Sequence, residues 1–191
     1  MNNRLFIISG PSGAGEDTVI KGLKKHFKIT RVITTVTREK RKGEKQGEPY
    51  YFISKEKFED GIKKGEFAEY ADVYGYLYGT TFKELGRVEK ECEKNNRVRF
   101  WKIDWQGVKT AKKDLPNIVS ILIEPTSIKS LEKRLIKRGE DSLPVIRKRL
   151  VAAKVWLKHK DIYDYRIINR DGKIDETVEK TAKIIKKYLT K

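Results

Sequence analysis

The segment from Leu5 to Thr18 constrains this chain more than any other. Leu5-Phe6-Ile7-Ile8 is an apolar run of strand length; Gly10, Pro11, Gly13 and Gly15 then make a turn; Val19, Ile20 and Leu23 recur at helical spacing. Strand, glycine-rich loop and helix in that order make the phosphate-cradling P-loop. Its backbone N–H groups converge on phosphate oxygens, and the helix N-terminus adds its partial positive charge. The pattern ordinarily continues Gly-Lys-Ser/Thr, so that an ammonium meets the β/γ-phosphates and a hydroxyl binds Mg²⁺. Here those two positions hold Glu16 and Asp17. The cradle is written in the sequence and its usual cation is not.

The rest of the chain alternates between strand and helix patterns. Strands are expected at 4–9, 98–103, 118–123 and 165–168, with a short apolar piece at 31–35. Helices are expected at 16–27, 82–95, 108–115, 127–138, 142–160 and 175–189. Such alternation predicts an α/β fold with a mainly parallel sheet covered on both faces. Arg38 to Glu48 is too polar for core and reads as an exposed or ligand-binding loop. Between Tyr50 and Tyr78 the pattern becomes β-rich. A strand at 50–53 and a short helix carrying Phe58 and Ile62 precede two strands, 67–73 and 76–78, joined by a Tyr74-Gly75 turn.

With 191 residues the chain suits one domain. The balance of 44 basic against 27 acidic side chains, a net charge of +17, favours anionic partners. Nucleic acid binding rests on that charge alone and is not expected, because Trp101, Trp105 and Trp156 read as packing residues rather than a stacking motif. Cys92 stands alone, which excludes an internal disulfide, and it reads as a packing residue. His26 and His159 lack metal-ligand spacing. No apolar run approaches the ~20 residues of a membrane span and no signal peptide is visible, so no membrane partner and a cytoplasmic location are expected.

Many short phrases in a fixed order make the sequence resemble the guanylate kinase family, which transfers a phosphoryl group from ATP to GMP. They are Gly10-Pro11-Ser12-Gly13-Ala14-Gly15; Thr37-Arg38 with Arg41; Gly43-Glu44, Gly47, Tyr50 and Phe52; Glu69; Tyr78-Gly79-Thr80; Ile103-Asp104-Trp105-Gln106-Gly107; Leu131 to Leu135; Arg138-Gly139; Arg149-Leu150; and Tyr163-Asp164-Tyr165. The resemblance implies a nucleoside monophosphate kinase fold with a five-stranded, mainly parallel sheet. It implies a core at 1–33, 81–125 and 161–191, a β-rich GMP-binding insertion at 34–80 and a helical lid at 126–160.

It also implies roles. Arg38 and Arg41 would grip the GMP phosphate, arginine being suited to forked contacts with oxyanions, and Tyr50 and Tyr78 would add hydroxyl donors. Glu69 would accept from guanine N1–H and the N2 amino group; Thr34, Thr80 and Asp104 would complete recognition of the base. Gly10 to Gly15, with Glu16, Asp17 and Thr18, would hold ATP, and Asn169 would lie near the adenine. The lid arginines Arg134, Arg138 and Arg149, with Arg41, would stabilise charge on the transferring phosphoryl group. Mg²⁺ would arrive with ATP.

Three positions depart from the family pattern: Glu16 replaces Lys, Asp17 replaces Ser, and Lys102 replaces an acid. A cation is lost at one place and gained at another. Lys102 is therefore a candidate to serve the phosphates, with Asp17 or Glu16 holding the magnesium. The alternative is a catalytically weakened domain, with Lys102 merely paired to the two acids, that binds GMP or phosphorylated peptides. Lys40 stands where the family has Pro, and Val155-Trp156 replaces a more polar run.

Overall fold

The computed structural model describes residues 4–41 and 43–189. Residues 1–3 and 190–191, assigned above to the core, and Lys42 in the polar loop lie outside the described residues. In chain order the elements begin β1 (Leu5–Ser9), α1 (Glu16–Gly22), β2 (Ile29–Arg31), β3 (Thr34–Val36), β4 (Lys45–Gln46) and β5 (Pro49–Phe52). There follow α2 (Lys55–Lys63), β6 (Phe67–Val73), β7 (Tyr76–Thr81), α3 (Phe82–Asn95), β8 (Val98–Trp101) and α4 (Trp105–Asp114). The chain ends with β9 (Val119–Pro125), α5 (Ile128–Arg138), α6 (Leu143–Lys158), β10 (Tyr165–Asn169) and α7 (Ile174–Leu189).

Five strands form a parallel sheet in the order β10-β9-β1-β8-β2, with Phe6 opposite both Phe100 and Val119. All five residues of β1 are buried, as befits a central strand covered on both faces. The two-residue period of a strand divides its side chains between two cores. Phe6 and Ile8 pack with Val19, Ile20 and Leu23 and with Val178, Ala182 and Ile185 of α7. Leu5 and Ile7 face the other way, toward Val88 and Cys92 of α3 and Val108 and Ala111 of α4. Because the strands are parallel, the loops after β1, β8 and β10 leave from one edge, where ligands of open α/β sheets bind.

A second five-stranded sheet, ordered β4-β5-β3-β7-β6, carries the β-rich segment. Its β6–β7 hairpin turns at Tyr74 and Gly75, whose φ values of 60° and 84° are both left-handed, as a two-residue hairpin of matching twist requires. The helices α5 and α6 make a third unit with its own small core of Leu131, Leu135, Ile146 and Ala153. Gly139, at φ 69°, ends α5 in a left-handed cap.

Three expectations need correction. The apolar piece at 31–35 is not one element: β2 lies in the parallel sheet and β3 in the second sheet. The chain crosses between them at Val32, whose N–H bonds the Phe100 carbonyl, and Ile33, whose N–H bonds Glu84. The helix expected at 16–27 stops at Gly22 and continues as a 3-10 turn through Lys25. There α1 passes so near α7 that a Cβ on Gly22 would stand 2.6 Å from Val178. The polar loop contains the short exposed strand β4, which pairs with β5. Among the described residues no helix is long and apolar enough to cross a membrane.

Candidate active site

A cleft of 1170 Å³ runs along the carboxyl edge of the parallel sheet, between the P-loop, the second sheet and the α5–α6 pair. The floor is the P-loop. Gly13 and Gly15 adopt φ of 91° and 104°, which an L-residue tolerates poorly. Side chains would also be blocked there, by Leu131 and Leu135 above Gly13 and by Asn169 Nδ2, 2.5 Å from a Cβ on Gly15. Asn169 lies beneath the loop rather than in the cleft wall, donating to the Ala14 carbonyl at 2.8 Å and accepting from Thr177. Its part is to hold the loop's shape. Gly10, Ser12, Gly13, Gly15, Glu16, Asp17 and Thr18 reach the cleft; Pro11 and Ala14 are buried and do not line it.

Lys102 follows β8, and its Nζ lies 2.5 Å from Asp17 Oδ2 and 3.8 Å from Glu16 Oε1. Arg31 binds the other oxygen of Asp17 at 2.8 Å. Burial opposes the charge on Asp17, but these two cations outweigh it and hold the carboxyl at about 2. Glu16 is more deeply placed; burial raises its pKa, Lys102 opposes the rise, and its Oε2 accepts from the Gly15 N–H.

Along the second sheet the cleft presents a phosphate-sized cluster. Arg38, Arg41, Tyr50 and Tyr78 all line it. Arg38 lies over the rings of Tyr50 and Phe52 at 5.3 and 5.4 Å, donates to Tyr78 Oη at 3.3 Å, and makes a forked pair with Glu44 at 2.6 and 2.7 Å. Glu44 also accepts from the Arg41 backbone N–H, so one carboxylate fixes the Arg38 guanidinium and the backbone at Arg41. Family phrases included Glu44 without giving it this role; the three-residue spacing to Arg41 was the available signal.

Between this cluster and the P-loop stand two carboxyl groups. Glu69 is 4% exposed, and burial pushes its pKa to about 8. Its Oε2 sits where a Cβ on Gly107 would be 2.5 Å away, so the missing side chain there makes room for it. Its Oε1 is buried without a hydrogen-bond partner of good geometry, although Thr80, packed behind it, partly offsets the effect of burial on its pKa. Asp104 caps α4 by accepting from the Gly107 N–H at 2.8 Å, and burial raises its pKa too. Thr34 lines the cleft, with its hydroxyl directed to the Lys102 carbonyl. Thr80 does not: it is fully buried behind Glu69 and accepts from Trp101 Nε1 at 2.9 Å.

The α5–α6 pair supplies the roof. Arg149 donates to Ser12 Oγ of the P-loop and to Asp141 at 2.8 Å, and lies over the Tyr74 ring at 5.9 Å. Arg138 binds the same Asp141 at 2.6 Å. Arg134 lines the cleft but donates to the carbonyls of Ala14 and Asn169 and to Asp171. Sequence reasoning singled out the three arginines and missed Asp141, which orients two of them, and Tyr74 and Lys148 in the cleft wall. Trp156, an unexplained departure in the sequence, begins a directed chain. It donates to Tyr163 Oη at 3.0 Å, Tyr163 meets Ser9 Oγ at 2.9 Å, and Ser9 donates to the Ile103 carbonyl at 2.7 Å.

A family model described as guanylate kinase matches residues 2–188. The guanylate kinase of Vibrio vulnificus (strain YJ016) is 44% identical over 170 residues, 87% of this chain and 80% of that protein. That of Haemophilus influenzae (strain 86-028NP) is 42% identical over 189 residues, 97% of this chain and 86% of that protein. In structure, the guanylate kinase from Anaplasma phagocytophilum superposes with a TM-score of 0.74 at 30% identity, covering 98% of this chain and 86% of that one. With the fold, the glycine loop and the sequence match coinciding over almost its whole length, the chain belongs to the guanylate kinase family.

Proposed function

We propose that the protein transfers the γ-phosphoryl group of ATP to GMP, giving ADP and GDP. The observation that carries this reading is the deeply buried Glu69 carboxyl in the lining of a cleft that holds a two-arginine, two-tyrosine cluster at one end and a P-loop at the other. Guanine offers two adjacent donors on one edge, N1–H and the N2 amino group, and a buried acceptor selects for them. The monophosphate reaches Arg38, Arg41, Tyr50 and Tyr78, and the triphosphate lies on the P-loop. Arg138 and Arg149, held by Asp141, act as a lid over the phosphates, where developing charge on the transferred group needs donors. Glu44 keeps Arg38 and Arg41 spread for the incoming phosphate. No general base is required, because the chemistry rests on positioning and charge stabilisation.

Among the described residues no three His, Cys, Asp or Glu side chains form a metal cage. Mg²⁺ carried in by ATP needs only one or two carboxylates beside phosphates and water, and Glu16 and Asp17 are of the right type. Asp17 is committed to Lys102 and Arg31, whereas Glu16 Oε1 faces only Lys102, at 3.8 Å, so Glu16 is the better ligand. Bound there, the ion would neutralise charge on the phosphates.

One observation favours a second reading: the acids of the P-loop are already paired with Lys102, as a catalytically weakened phospho-ligand domain would have them. A coupled assay for ADP formation with ATP, Mg²⁺ and GMP, against AMP and UMP as acceptors, decides between the two. GMP-dependent turnover is expected. Tight GMP binding without turnover would overturn the kinase reading in favour of the second.

A further inference from the structure

The P-loop of this chain has no lysine, yet an ammonium stands beside it. We infer that Lys102 is the phosphate-binding cation of the ATP site, delivered from the end of β8 instead of from the loop, and that it exchanges Asp17 for the β/γ-phosphates when ATP binds. This deepens the kinase reading and rests on the same cleft.

Three features support the exchange. Lys102 lines the cleft along with Gly13, Gly15 and Thr18 of the loop, so a phosphate lying on the loop comes within reach of its flexible four-carbon stem. Its partner Asp17 is not left alone by the exchange, because Arg31 holds its other oxygen, 2.8 Å away. Asp17, whose side chain is more than half exposed, thus keeps one cation when the other leaves, and the buried Glu16, with Lys102 3.8 Å away, is the carboxylate left facing the phosphates. Lys102 is also placed by its own strand: the Thr34 hydroxyl points to its carbonyl, and the next residue's carbonyl is gripped by Ser9. The ammonium is therefore borne on the rigid carboxyl edge of the sheet, adjacent to β1, from which the loop springs.

A cation that touches phosphate must be told from one that merely screens Glu16 and Asp17. The test measures mant-ATP and mant-AMP affinity by fluorescence titration, with thermal melting as the control for folding. It uses the wild type, Lys102→Met, the neutralised Glu16→Gln/Asp17→Asn pair, and the triple variant. If Lys102 binds the β/γ-phosphates, Lys102→Met weakens mant-ATP by about 10- to 100-fold, as loss of a charge-assisted contact does, and leaves mant-AMP unchanged. The triple variant then stays at least about tenfold weaker than the neutralised pair. If Lys102 only screens the acids, the triple variant binds mant-ATP as well as the neutralised pair, which overturns the inference. A Lys102→Met protein that melts earlier but binds mant-ATP normally overturns it as well. A parallel GMP titration of the wild type bears on the kinase reading alone, so the two can fail separately.

Discussion

Glu69 is the residue whose chemistry the fold alters most. Burial raises its carboxyl from the ordinary 4.5 to about 8, and Asp104 nearby adds to the rise. The native state therefore keeps a proton that the unfolded chain gives up. Stability from this group is fully present below about 4.5 and is lost as the pH climbs through about 8. Urea unfolding at pH 5 and pH 8.5 should show a fall in the wild type larger, by on the order of a few kcal/mol, than the fall in Glu69→Gln. The same proton bears on ligand selection, since guanine's donors need the ionised carboxylate. GMP binding near pH 7.5, above the second phosphate ionisation of about 6, should release up to about one proton. Calorimetry in buffers of differing ionisation enthalpy reads that release, which Glu69→Gln should abolish. Glu69 was legible as an acceptor from its place in the family phrases. Its depth was not, because it follows from Gly107, 38 positions on, having no side chain.

At the scale of elements, the strands of the parallel sheet were legible because β1, β8 and β9 are short segments rich in Ile, Val, Leu and aromatic residues, interrupted by Arg99 in β8 and by Ser120 and Glu124 in β9. The crossing at Val32 was not, since an apolar run carries no mark where one sheet ends and the next begins. Thr80 and Asn169, singled out for their places near guanine and adenine, are buried behind Glu69 and beneath the P-loop. A buried polar side chain and a ligand-facing one look alike until the packing is known. The Trp156–Tyr163–Ser9 chain was equally hidden, as its members belong to α6, the turn before β10 and the end of β1. It ties the root of α6 to the start of the P-loop and to the strand end bearing Lys102. Tyr163→Phe leaves the partly buried Trp156 N–H and the Ser9 hydroxyl each short of a partner, and should cost about 1–3 kcal/mol in urea unfolding. The α6 root should loosen with it, seen as faster amide exchange across 150–158 than across α7.

The whole molecule carries a net charge of +17, but its cleft is of mixed sign: Arg38, Lys102, Arg134, Arg138 and Arg149 are each paired with an acid. The net positive field of the molecule as a whole draws anionic nucleotides and is screened beyond about 8 Å at physiological ionic strength. Stopped-flow association of mant-ATP should slow several-fold between 20 mM and 500 mM salt, with a smaller change in dissociation. The charge total was read directly from the sequence, whereas the pairing of the cleft's arginines with acids required the fold. The pairing of Lys102 with Asp17, 85 positions earlier in the chain, has a historical consequence. An acid gained first at position 16 would leave three carboxylates and no ammonium before a polyanionic nucleotide. A lysine gained first at 102 would leave only an excess of positive charge, which the nucleotide tolerates. Descent through functional ancestors therefore runs by way of the lysine, and lineages bearing the acid without it should be absent.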